Sequence, residues 1–132
     1  MQKVTIGTFE ESGETFKWLS IGDIINICEA HKDKRIFFEG TDLSPCELGS
    51  WRGSYDKPRI GYERSKITGG EVASILSYAL KENHYGYKGG EYFYSENEVP
   101  YIDNSGEYHE ACVYGYDVVG KFVVLKTAIN EY

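Results

Sequence analysis

The chain has 132 residues, with 14 Lys and Arg against 21 Asp and Glu, so its net charge at pH 7 is -7. This length predicts one α+β domain over residues 1–132, large enough to bury a core without a metal ion or disulfide. The negative charge argues against non-specific binding to nucleic acid or anionic membrane, because both require a positive surface. No apolar run reaches membrane-spanning length and no signal-peptide pattern begins the chain, so we expect a cytoplasmic protein.

Strand-like alternation occurs three times in the first third of the chain, at residues 3–9, 15–19 and 35–39. The first two runs flank a Ser-Gly-Glu turn and predict a hairpin. Ser20 and Asp23 have the spacing of a capping box, which predicts a helix over residues 21–32. The run RIFFE at residues 35–39 predicts a strand that enters the core. Residues 40–50 carry turn-forming residue types and predict an irregular connection.

The segment SWRGSYDKPRIGYERSK at residues 50–66 alternates aromatic with small or charged residues and predicts two strands joined at residues 56–58. Thr68 and Glu71 have the spacing of a second capping box, which predicts a helix over residues 69–82. Four strand-like runs follow, separated by Gly, Asn and Ser. The whole pattern predicts a mainly antiparallel, twisted sheet with two helices packed on one face.

The residue types that usually carry catalysis are isolated from one another. Three cysteines are scattered along the chain, at Cys28, Cys46 and Cys112. Their spacing predicts reduced thiols and no metal site. His31, His84 and His109 also occur singly, and no serine lies in a nucleophile motif. We therefore expect no catalytic residues, no cofactor and no metal.

Positive charge is concentrated between Gly49 and Lys66. The net charge of this window is +3, so the rest of the chain carries a net charge of -10. The window also contains three of the four arginines of the chain. Arginine presents a fork of donors that fits phosphate, and aromatic rings stack on bases. The candidate phosphate ligands are Arg52, Arg59 and Arg64, and the candidate stacking rings are Trp51, Tyr55 and Tyr62. The same composition is also typical of two strands whose basic side chains cover aromatic rings.

A glycine-rich segment after the second predicted helix is a candidate second wall of this site. Its glycines allow close backbone approach to a ligand. The residues expected to close the site are Tyr85, Tyr87 and Lys88. The spacing is not that of a phosphate-binding P-loop. The alternative is a helix stop and turn that precede a strand.

The segment ELGSWRGSYDKPRIGYE, the capped helix and YKGGEY resemble a pattern of small uncharacterised proteins of tailed bacteriophages. This resemblance covers residues 47–94. It implies an accessory protein that acts in an infected bacterium. Such a protein would inhibit host defence by sequestering a cyclic or ADP-ribose-type nucleotide signal, or by occluding a host protein.

Three functions are therefore expected from the sequence. The first is a non-enzymatic protein that sequesters a small anionic nucleotide, at the interface of a homo-oligomer. The second is an inhibitor whose acidic, tyrosine-rich C-terminal sheet covers a basic surface of a host defence or nucleic-acid enzyme. The third is a nucleotide hydrolase, which would turn over the same ligands.

Overall fold

The computed structural model describes residues 2–5, 9–11, 14–51, 54–64, 67–82, 84–85, 91–102 and 111–129, with side chains described for 17–49, 58–64, 67–82, 93–102 and 111–128. Helices α1 and α2 cover Ile21–Ala30 and Gly69–Ala79, and neither is long and apolar enough to cross a membrane. The strands of the described residues are β1 (Gln2–Thr5), β2 (Phe9–Glu11), β3 (Glu14–Phe16), β4 (Arg35–Phe38), β5 (Leu43–Trp51), β6 (Ser54–Arg64), β7 (His84–Tyr85), β8 (Glu91–Tyr92), β9 (Tyr101–Ile102), β10 (Ala111–Val119) and β11 (Phe122–Ile129).

Both helices begin where their capping residues predict. The Ser20 hydroxyl accepts the Asp23 N–H at 3.1 Å, and the Asp23 carboxylate accepts the Ser20 N–H at 2.9 Å. The Glu71 carboxylate similarly accepts the Thr68 hydroxyl at 3.0 Å. These contacts satisfy polar groups that a helix start leaves unpaired. Both helices end two or three residues earlier than predicted. The sequence did not locate these ends because no glycine or proline marks either C-terminus.

The main sheet is mixed. Its strand order is β4-β11-β10-β9-β6-β5, and β1 also pairs with β10. Within the described residues, four of its pairings are antiparallel and two, β4 with β11 and β6 with β9, are parallel. The predicted α+β class is confirmed, and the sheet is mixed rather than purely antiparallel.

Two local predictions between the helices are wrong. Strand β5 occupies the predicted irregular connection, and β6 continues through the predicted turn at residues 56–58. The last pair of these strands is Trp51 with Ser54, and not residues on either side of 56–58. Both predictions were wrong because proline usually interrupts a strand, and each segment contains one. Here Pro45 lies in an edge strand beside a register shift, and Pro58 precedes the pairing of β6 with β9.

The core lies between the helices and one face of the sheet. Side chains of both helices and of the main sheet form one buried cluster, to which β4 contributes Ile36 and Phe38 and β11 contributes Val123 and Leu125. Burying a side chain of this size contributes roughly 1.5–3 kcal/mol. Successive strand residues point to opposite faces, so the intervening residues of β4 and β11 lie on the opposite face, called here the open face.

Candidate functional site

A cavity of about 770 Å³ lies along β4 and β11, and is called here the β4–β11 groove. Its apolar lining comes from Phe37, Phe38, Val119, Phe122 and Val124. Arg35 also lines the groove, as do Thr41 and Asp42 beyond the other end of β4. The groove therefore combines an apolar floor with a few polar groups, as ligand sites commonly do.

Strand pairing assembles the aromatic floor of the groove. The parallel register of β4 and β11 places Phe122 beside Arg35 and Val124 beside Phe37. Phe37 and Phe122 have ring centroids 5.6 Å apart and planes inclined at 49°. Phe122 is 39% exposed and Val119 is 43% exposed. Part of this apolar floor is therefore open to a ligand.

One end of the groove is basic. The Arg35 N–H donates to the Lys121 carbonyl at 3.0 Å, and the Lys34 ammonium donates to the Gly120 carbonyl. These bonds fix β4 against the turn between β10 and β11 and bring three cationic residues to it. In the described part of the chain, no carboxylate lies within ion-pair distance of Arg35. Its guanidinium is available for an anionic ligand.

The other end of the groove carries a carboxylate on a fixed turn. The Thr41 hydroxyl donates to the Phe38 carbonyl at 2.9 Å and accepts the Leu43 N–H at 3.0 Å. Gly40 adopts a φ of +73°, a conformation that favours glycine. Asp42 follows directly, and its Oδ2 lies 3.3 Å from the Arg64 Nε. The turn therefore presents Asp42 at the end of the groove opposite Arg35.

The arginine predicted at the centre of the binding set, Arg59, is engaged by a carboxylate. Its Nη2 donates to the Glu47 Oε1 at 2.8 Å, across the β5–β6 pair. Two glycines make room for this ion pair. An ideal Cβ at Gly61 would lie 2.5 Å from the Glu47 Cγ, and one at Gly49 would lie 3.3 Å from the Arg59 Nη2.

Tyr62 and Arg64 lie on the other face of β6 from Arg59. Tyr62 packs against the core, and its ring edge meets Phe38 at a centroid distance of 6.2 Å. Arg64 is paired with Asp42. Alternation along β6 separates Arg59 from these two residues, so the structure does not bring the three together. Tyr62 and Arg64 instead adjoin the β4–β11 groove through Phe38 and Asp42.

The remaining predicted site residues have no described side chains. The backbones of three lie in strands: Trp51 in β5, Tyr55 in β6 and Tyr85 in β7. The other three, Arg52, Tyr87 and Lys88, lie outside the described residues. The predicted roles of Arg52 as a phosphate ligand, of Trp51 and Tyr55 as stacking rings, and of Tyr85, Tyr87 and Lys88 as a second wall stay predictions.

Sequence reasoning missed Arg35, Phe37 and Phe122. The run RIFFE was assigned to the core as a whole, but only its second and fourth residues, Ile36 and Phe38, are buried. Alternation in β4 and β11 was the available signal, since it places every second residue on the open face. What the sequence does not reveal is that β11 pairs with β4, which places Phe122 beside Arg35.

The thiols of Cys28 and Cys46 are not activated. Burial, followed by the nearby Glu29 charge, raises the pKa of Cys28 to about 12. The pKa of Cys46 is also raised, first by burial and then by Glu63 and Glu47. A raised pKa lowers the fraction of thiolate, the reactive form. Among the described residues, no three His, Cys, Asp or Glu side chains are grouped to hold a metal ion.

Comparison of the chain with protein-family models, with characterised proteins and with solved structures finds no match. The groove carries chemical groups of the kinds that ligand-binding sites use. Its aromatic floor offers a stacking surface, Arg35 offers paired donors, and Asp42 offers acceptors. A planar ligand with a negative charge at one end suits this arrangement.

Proposed function

We propose that the protein binds a small anionic nucleotide in the β4–β11 groove without turning it over. The observation that carries the proposal is an arginine with no ion pair among the described residues, beside two partly accessible phenyl rings. In this arrangement the base packs on Phe37 and Phe122 while Arg35 donates to the phosphate. Stacking of a base on an aromatic ring contributes about 1–3 kcal/mol.

The dimensions and charge of the groove support this ligand class. Its volume of about 770 Å³ lies within the usual range for sites of small molecules and cofactors, roughly 300–1,000 Å³. Lys34 and Lys121 add positive charge at the Arg35 end. A local positive field attracts a small anion even though the whole chain carries a net charge of -7.

This proposal keeps the ligand expected from the sequence and changes the residues that hold it. Arg59 is engaged by Glu47, whereas Arg35 has no such partner in the described part of the chain. Arg35 is therefore our proposed phosphate ligand. The segment from Trp51 to Tyr55, where β5 and β6 meet, is a second candidate surface.

The biological role that we propose is sequestration. The resemblance to accessory phage proteins implies action in the cytoplasm of an infected bacterium, where removal of a nucleotide signal would suppress host defence. Sequestration requires tight binding and no chemistry, and neither Cys28 nor Cys46 is activated for nucleophilic attack. A homo-oligomer would present one groove for each copy.

Isothermal titration with AMP and adenosine tests the proposal. We expect AMP to bind more tightly than adenosine, and Arg35→Gln to remove that difference. Phe122→Ala should weaken binding of both ligands by about 5- to 150-fold, the equivalent of one stacking contact. Tyr78→Ala is the matched control, because Tyr78 is 67% exposed on α2.

Two results would contradict the proposal: no heat of binding from either ligand at millimolar concentration, or equal weakening by Tyr78→Ala and Phe122→Ala. Recovery of unchanged AMP after incubation separates binding from hydrolysis. Conversion of AMP to a product would favour the hydrolase expected as the third function.

A protein partner is the second candidate function, and exposure of the groove favours it. Val119 and Phe122 are exposed apolar side chains beside a charged rim, an arrangement typical of protein interfaces. The tyrosines of β10 are less available than predicted. Tyr116 belongs to the core, and the Lys126 ammonium lies 5.8 Å from the centroid of the Tyr114 ring. Val119→Asp would abolish binding of a purified protein partner.

A further inference from the structure

We infer that Asp42 selects which bases the groove accepts, so that the ligand is a nucleotide whose base carries an exocyclic amino group. This inference rests on the proposed function. It follows from the opposite charges at the two ends of the groove, where Arg35 lies at one end and Asp42 at the other. A ligand with its phosphate at Arg35 directs the far edge of its base toward Asp42.

The two ends are too far apart for one phosphate to contact both. Strand β4 extends from Arg35 to Phe38, a rise of about 10 Å, and the turn that carries Asp42 comes after it. Phe37 lies between the ends, and Phe122 lies beside Arg35 with its ring centroid 5.6 Å from that of Phe37, so the base would stack on these rings. The order along the groove is therefore phosphate, ring and base edge.

Asp42 is the group that can read the base edge. Thr41 uses its hydroxyl within the turn, with the Phe38 carbonyl and the Leu43 N–H, and Gly40 has no side chain. Arg64 approaches the Asp42 Oδ2 through its Nε, and an ionised carboxylate has about four acceptor sites. Acceptor sites therefore remain for a donor from the ligand.

A carboxylate accepts hydrogen bonds and donates none. It binds the amino group of adenine or cytosine and repels the carbonyl oxygen that hypoxanthine or uracil places at the equivalent position. A second phosphate at this end would be repelled for the same reason. The groove thus favours nucleotides with one terminal phosphate and an amino-bearing base.

Titration with AMP and IMP tests this selection, because the two ligands have the same charge and nearly the same shape. IMP has a carbonyl oxygen and an N1–H where AMP has an amino group and an unprotonated N1. We expect AMP to bind about tenfold more tightly than IMP, the effect of one hydrogen bond to a charged group at a partly exposed site. Asp42→Asn should reduce the preference to within about twofold, because an amide can donate or accept. CMP and UMP should show the same pattern.

Asp42 is 66% exposed, so its substitution leaves the fold in place. Glu29→Gln, at an exposed position on α1, is the control variant and should retain the full preference for AMP. Equal binding of AMP and IMP to the unmodified protein would overturn the role of Asp42 and leave the proposed function standing. An unchanged preference in Asp42→Asn would also overturn it. Failure of every nucleotide to bind would instead refute the proposed function.

Discussion

The two faces of strands β4 and β11 have similar composition and different surroundings. On the face toward the helices, Val123 and Leu125 are completely buried. On the open face, one residue away in each case, Phe122 is 39% exposed and Val124 is partly exposed. Alternate residues of each strand therefore belong to two different surfaces. Only one of these surfaces packs against α1 and α2.

This difference identifies the groove as a candidate site. Strands that are apolar on both faces are typical of sheets covered on both sides. Here both helices pack in the cluster on one face, while Phe37 and Phe122 lie on the other. Contiguous exposed apolar surface commonly marks a place where a partner or ligand binds. On the proposed function, the open-face residues contribute to binding more than to the core.

Substitutions at neighbouring positions of β11 test this comparison directly. Leu125→Ala should lower the free energy of unfolding by about 2–5 kcal/mol, because it leaves a cavity in the core. Val124→Thr should lower it by less than about 1 kcal/mol, because the hydroxyl remains accessible to water. Urea denaturation measures both values. Equal losses would mean that the open face is covered as fully as the helix face.

The helices and the fold class were the predictable part of this molecule, because their signals are local. The capping residues at Ser20 and Thr68 marked both helix starts correctly. Strand β5 was missed because Pro45 and its polar neighbours are typical of a loop. Its long-range pairing with β6 determines its conformation, and local composition does not report that pairing.

The candidate site was less predictable, because charge composition does not reveal which charges pair. The window of +3 contains Arg59 and Arg64, and both have carboxylate partners, Glu47 and Asp42. Arg35 stands outside that window and has no ion pair among the described residues. Tyr62 and Arg64 contact two groove residues, Phe38 and Asp42, through long-range contacts that charge composition does not report.

The pKa of the Cys28 thiol reports how completely water is excluded from the helix-covered face of the sheet. Burial, and next the Glu29 charge, raises its pKa from 9.0 to about 12 in the folded protein. The folded state therefore holds this proton more tightly than the unfolded state. The stability that results is complete below pH 9 and is lost as the pH rises from 9 toward 12.

Between pH 8 and pH 11, the unmodified protein should lose roughly 2–3 kcal/mol more unfolding free energy than Cys28→Ala. Denaturation at several pH values measures this difference. Cys46→Ala is the control and should change the pH dependence less, because that side chain is only partly buried. Parallel curves for the unmodified protein and Cys28→Ala would show that water reaches this part of the core.

The smallest expected effect concerns the arginine that is already engaged. At Gly61, an added methyl group would displace the Glu47 side chain and break its contact with Arg59. Alanine is otherwise the better strand residue, by roughly 0.5–1 kcal/mol. Gly61→Ala should therefore stabilise the Glu47→Ala variant by that amount and give no gain in the unmodified chain. Thermal or urea unfolding of the unmodified chain, the two single variants and the double variant should give a coupling free energy of about 1 kcal/mol between the two substitutions. An equal effect of Gly61→Ala in both backgrounds would mean that Glu47 is not held over this glycine.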